Sequence, residues 1–363
     1  MMITIQSKML VEEKVAKRSK YSEGIGAKEA KMSSVKKVIM LALLPKVKET
    51  HENLRTLLTA VDLSGIPFTF SCDIKLDLML IGKQQASCTH NCIYCTGAAP
   101  WTDQNSGDLM TIGMLKCFHK LYLERDPKDE ETEADFNNCV DDNLLQLYFP
   151  DEMYVIDCIN IPELHILMGV VVKLLDYIKS LFGKEQEDKS RGAAFVHQYL
   201  TSLNITQKTP GRLEGNQAEK IAQNSGQLLL LADQLPQEIS DRVKNVAPVL
   251  EAFNRVKHSC FGQRIYGDYV GEIARFSSLY RSLPGITKPP KFHMLESHVE
   301  TFLTRRQAEG FENHGLSFWG EQQFESSHHD FKVCWERRKL GDQHENYVAA
   351  LSDAFLEWNS SHI

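Results

Sequence analysis

Cys92 and Cys95, in the run ASCTHNCIYCTG, form a C-x-x-C pair. Two thiolates at that spacing make half of a tetrahedral zinc site. The pair could also serve as a redox couple, but it does not open a helix after a βαβ strand, where such couples sit. Two further ligands are needed. Cys88 and His90 lie in the same run. A second source lies far along the chain, where KFHMLESHVETFL carries His293 and His298 in H-x4-H spacing. That spacing falls slightly outside one face of an ideal helix, so a turn or a distorted first turn near Pro289-Pro290 is expected to bring the imidazoles together. Taken alone, the two histidines are ordinary residues of an amphipathic helix. Beside C-x-x-C they complete a set of two thiols and two imidazoles, with Cys88 and His90 as alternative ligands.

Carboxylates are the second chemical signal. Asp73 ends the strand-like run IPFTFSCD, a common station for a metal-binding acid. By itself it reads as an ordinary strand-end or helix-capping aspartate. Glu325 lies in FWGEQQFESSHHDF among Phe318, Trp319, Phe324 and Phe331. A glutamate among aromatics is costly to bury unless it is paired or binds metal. By itself it reads as a solvent-facing helix residue. Glu321, four residues earlier, shares its face.

The elements that must position these groups fit within 363 residues, enough for one large domain or two ordinary ones. Hydrophobic residues make up 42% and charged residues 25%, the balance of a globular protein. The best candidate for a membrane span, Leu164 to Phe182, is interrupted by Lys173, Asp176 and Lys179, so no membrane association is expected. The N-terminal lysines enclose no apolar core, so no signal peptide is expected and the nine cysteines are read as reduced. A net charge of −7 argues against a general nucleic-acid sponge, although much of the acid is concentrated between Glu124 and Glu152.

Hydrophobic periodicity supplies the elements. VKKVIMLALLP reads as a buried strand, VKETHENLRTLLTAV as a helix, and IPFTFSCDIKLDLMLIG first as a strand, becoming ambiguous near Asp73. Strand, helix, strand is a βαβ-like unit. From Met110 to about Leu283 almost everything reads helical, including PELHILMGVVVKLLDYIKSLF and GNQAEKIAQNSGQLLLLADQL. The expected divisions are a basic, poorly ordered leader (1–34), a partial α/β core with the C-x-x-C loop (35–109), a helical insertion (110–288), the histidine helix and a final helix (289–345), and a tail helix (346–363).

In order and spacing, these motifs resemble the catalytic core of cut-and-paste DNA transposases of the Transib and recombination-activating recombinase type, and the related invertebrate transposon proteins, from about Val35 to Leu340. LALLPKVKETHENLRTLL resembles the strand and helix ahead of that family's second catalytic aspartate, which Asp73 matches. Cys92, Cys95, His293 and His298 match its zinc ligands. PELHILMGVVVKLL, with His165, resembles its "ALH…G" helix, and GRLEGNQAEKI, with Asn216, its "NGN-A-KL" segment. GLSFWGEQQFESSHHDF resembles its final catalytic helix, with Glu325 as the acid.

The resemblance implies an α/β ribonuclease-H-like core, here incomplete, with a large all-α insertion. It also implies structural Zn²⁺ on the cysteines and histidines and catalytic Mg²⁺ or Mn²⁺ on Asp73 and Glu325. The partner would be DNA, namely transposon ends, met by His165, Asn216, His328 and Lys332, with a homodimer as the assembly and the nucleus as the compartment. The family's first catalytic aspartate lies on a strand upstream of VIMLALL, where this chain has a lysine-rich leader, so the core is read as N-terminally truncated and inactive alone. A zinc-stabilised helical scaffold that binds DNA or protein partners, without enzymatic activity, is the alternative. The expected outcome with supercoiled plasmid and Mg²⁺ or Mn²⁺ is no nicking, because two-metal displacement needs an acid that bridges both ions. Nicking that disappears in Glu325→Ala would show that the chain supplies that acid after all.

Overall fold

Apolar residues at three- and four-residue intervals make this chain predominantly helical. The computed structural model describes residues 2–5, 39–43, 47–61, 63, 65–84, 87–101, 107–126, 128, 130–207, 209, 211–320, 330–341 and 343–360. They fall into two compact units interleaved along the chain. One comprises Met1–Cys88, Met110–Asn160 and Gly320–Ile363, the other Thr89–Leu109 and Ile161–Trp319.

In the first unit, Met2–Ile5 pairs antiparallel with Ile39–Leu43. Helix His51–Ala60 is capped by Thr50, whose hydroxyl accepts the Asn53 N–H, and it buries Leu54, Leu57 and Leu58. The acidic stretch is folded against these elements. Gly82, at φ +74°, accepts the N–H groups of both Val140 and Asp141. A Cβ there would lie 2.1 Å from the Asp141 carbonyl oxygen, so the close approach requires glycine. Asp142 pairs with Arg55, and its carbonyl accepts from His51 Nε2 at 2.8 Å. Asp151 pairs with Lys116. Part of the local acid is therefore structural. Phe331, Leu351, Ala354 and Trp358 form a small apolar cluster joining 330–336 to helix Tyr347–Ser360.

The second unit is built on helix Glu163–Ser180, whose buried Leu167, Val170, Val171, Leu174 and Ile178 follow the helical period. It packs against helices Gln186–Ser202, Gly215–Gln223 and Pro290–Ala308. The last of these carries the histidines. Its first turn is fixed by aromatic packing: Phe292 stacks on Tyr280 at 4.1 Å and lies 5.7 Å from Phe276, which in turn meets Phe253 at 5.1 Å.

One expectation is corrected. A ribonuclease-H-like core is not supported: the strands named among the described residues are the two of one small sheet. IPFTFSCD is extended, as its aromatic and β-branched residues favour, but among the described residues no neighbouring strand receives it. It makes one isolated bridge, Phe70 to Ile159, and the Asn160 side chain ties down the Thr69 and Ser71 hydroxyls. The chain then turns into helix Ile74–Leu80. The leader expected over 1–34 contributes a strand at Met2–Ile5, and its residues 6–34 lie outside the described residues. GNQAEKIAQNSGQLLLLADQL forms two helices, broken at Asn224, whose backbone leaves the helical region while its side chain bonds the Lys220 carbonyl.

The helix crossing at Gly192 offers a test. A Cβ there would meet the Lys179 carbonyl oxygen, a backbone atom, at 2.5 Å. Alanine is favoured in a helix by ~1 kcal/mol, whereas overpacking against rigid structure costs about 1–3 kcal/mol. Gly192→Ala is therefore expected to lower the thermal midpoint. Gly169→Ala, whose Cβ would first meet the flexible Lys291 side chain, is the control, expected to leave it unchanged or raise it.

Candidate metal centre

The cysteine loop is shaped by its own backbone. Ala99 N–H donates to the Thr89 carbonyl at 2.9 Å, closing the loop, and Thr96 N–H donates to the Asp108 carbonyl at 3.0 Å. Cys95 bridges Leu109 in the same pairing. His90 Nδ1 lies 2.9 Å from the Thr96 carbonyl and so braces the loop from within. These contacts turn Cys92 and Cys95 inward, and both are fully buried.

The histidines come from helix Pro290–Ala308, which opens on Pro290, a residue suited to a first turn because its missing N–H has no partner to lose. The expected distortion is not needed. Phe292 and His293 N–H both reach the Pro289 carbonyl, and the helix runs on regularly. His293 and His298 sit on either side of one stripe, and their side chains lean together until their Nε2 atoms are 3.2 Å apart.

The four groups converge inside the second unit. Cys92 Sγ lies 3.3 Å from His298 Nε2, and Cys95 Sγ lies 3.3 Å from His293 Nε2. All four ligand atoms lie within 4.8 Å of one another. Zinc bond lengths of ~2.3 Å to sulfur and ~2.0–2.1 Å to nitrogen imply ligand separations of about 3.3–3.8 Å at tetrahedral angles. Donor set and spacing are thus compatible with zinc. The electrostatics agree. The hydrogen bond from Cys92 holds the Cys95 thiol far below its usual range, with His293 and His298 adding to the effect against the cost of burial. Burial also pushes His298 down, towards the neutral imidazole that a metal requires.

A surrounding shell orients the ligands, and the sequence reading had not picked it out. Trp101 stacks on the His293 ring at 3.8 Å, and Tyr94 meets the edge of His298 at 5.5 Å. Ser297 Oγ lies 3.3 Å from His293 Nδ1, leaving Nε2 to face the cluster. Ser297 was open to discovery, since it follows His293 by one helical turn. Trp101 was not, because nothing local ties it to a histidine so distant in sequence.

The other candidate residues stand apart from this centre. Cys88 and His90 do not join the cluster. Asp73 is exposed and caps helix Ile74–Leu80, its Oδ1 accepting the Leu76 N–H at 2.8 Å. His165 is half-buried on helix Glu163–Ser180, Asn216 is exposed on helix Gly215–Gln223, and Lys332 is exposed within 330–336. Glu321, Glu325 and His328 lie outside the described residues. No protein-family model matches the chain, and no curated protein matches it.

The purified chain is expected to hold one zinc ion, measured by elemental analysis, and Cys92→Ala to hold none in stoichiometric amount. Ser297→Ala, which removes only the orienting hydroxyl, is expected to weaken binding roughly tenfold. Equal zinc in wild type and Cys92→Ala would rule the centre out.

Proposed function

We propose that this chain is a zinc-stabilised helical scaffold of the transposase type, whose metal serves architecture and not catalysis. The observation that carries this reading is the closed, buried set Cys92, Cys95, His293 and His298. A catalytic zinc keeps a position open for water beside three protein ligands, whereas four protein ligands fill the tetrahedron of a structural one. Zinc bound here would hold the cysteine loop against helix Pro290–Ala308 and leave no site for a reacting oxygen.

The transposase part of the proposal draws support from distance. Cys92 and His298 are separated by 206 positions in sequence. Nothing in local spacing selects that pairing, and the resemblance names all four partners. DNA as partner and the nucleus as compartment follow from the same resemblance, with Asn216 and Lys332, both exposed, among the residues that would meet DNA. Asp73 caps a helix through the Leu76 N–H, which favours architecture over catalysis.

A mobility shift with duplex DNA tests the choice of partner. The zinc-loaded chain is expected to bind, with affinity falling at least roughly tenfold between about 50 and 200 mM salt as counterions compete. Lys332→Glu is expected to weaken the shift. No binding at the lower salt would remove DNA and leave a protein-binding scaffold.

A further inference from the structure

The segment Thr89–Leu109 leaves one unit of the fold and returns to it, yet packs within the other. Its buried described residues include Cys92, Tyr94, Cys95 and Trp101. Each of these four is either a ligand or in ring contact with one of the two histidines. The helix that receives them is anchored differently. Phe292, Met294, Leu295, Val299, Phe302 and Leu303 are all buried apolar side chains of Pro290–Ala308, and Phe292 is locked between Tyr280 and Phe276. The ring contacts of Phe292 do not pass through the ligands. The helix thus has an anchor of its own, and the segment is a strap that meets it through two thiols, two imidazoles and the rings of Tyr94 and Trp101, beside the buried Ile93.

We propose that the metal acts as a releasable latch on this strap: emptying the centre frees residues 89–101 while the helices of the second unit stay folded. This rests on the zinc reading above and adds a regulatory consequence, namely that zinc supply sets whether the strap is docked. The reason is where the cost of emptying falls. Without the ion, four polar groups face one another in a dry pocket, and the least costly remedy is to expose the piece that carries two of them. Withdrawing the histidine helix instead would expose its aromatic anchor as well. A ligand-dependent opening of this kind draws on the low-stability part of a fold.

Hydrogen exchange read by mass spectrometry on the full chain tests the idea, comparing zinc-loaded protein with protein dialysed against a chelator. Peptides covering Thr96 and Ala99, whose N–H groups close the loop, are expected to exchange at least tenfold faster without metal. Peptides covering 164–178 and 292–303 are expected to change by less than twofold, and adding zinc back should restore protection. Trp101→Ala, which keeps all four ligands, is expected to speed strap exchange in the zinc-loaded protein. Uniform acceleration of strap and helices would overturn the latch, making the ion a keystone of the whole unit. Unchanged strap exchange after zinc loss would overturn it equally. A chain that takes up no zinc would instead overturn the metal reading, and that result is distinguished by elemental analysis of the same samples.

Discussion

Two thiols and two imidazoles packed together out of water constrain everything around them. Each is a group that burial penalises unless something satisfies it. Here the four ligand atoms converge at the spacing that a tetrahedrally coordinated cation would use. For this to happen, a loop must turn both cysteines inward and a helix must present both histidines on one stripe. The loop manages this with its own backbone hydrogen bonds. The helix manages it by resting on Tyr280, Phe276 and Phe253, residues that have no part in the chemistry.

The centre was legible in the sequence because cysteine and histidine are sparse and their spacings are informative. C-x-x-C and H-x4-H announce themselves, and resemblance joined them across a long interval. The helices were legible as well, since Glu163–Ser180 and Pro290–Ala308 carry unbroken apolar stripes. The α/β core was misread for a definite reason. Strand propensity in IPFTFSCD reflects a residue's comfort in extended backbone, and it says nothing about whether a neighbour exists to pair with. Asp73 shows the same ambiguity at one residue. An aspartate after an extended run reads as a metal ligand or as a cap, and only the Leu76 N–H decides for the cap. Breaks inside long stripes, such as Asn224, depend on the path of the next helix and leave little local trace.

The separation of duties in the second unit bears on how such a protein tolerates change. Gly192 and the aromatic stack answer for the helices, while Cys92, Cys95, Trp101 and Ser297 answer for the centre. Substitutions in the two sets should combine almost independently wherever their contacts do not overlap. His293 is the exception. It is a ligand, it stacks on Trp101, and it follows Phe292 directly, so a change there touches both sets.

The sequence interval between the two halves of the centre also sets a clock for biosynthesis. Cys92 reaches the ribosome surface 206 residues before His298. At roughly 5–20 residues per second, that delay is about 10–40 s. Throughout it, a nascent chain holds a complete C-x-x-C pair without His293 and His298. The thiols emerge before the helix that completes the set, which follows the other α-helices of the second unit in chain order. Completion of the cluster therefore waits on His293 and His298, and quality control of this fold would act on chains that have two of the four groups and wait for two more.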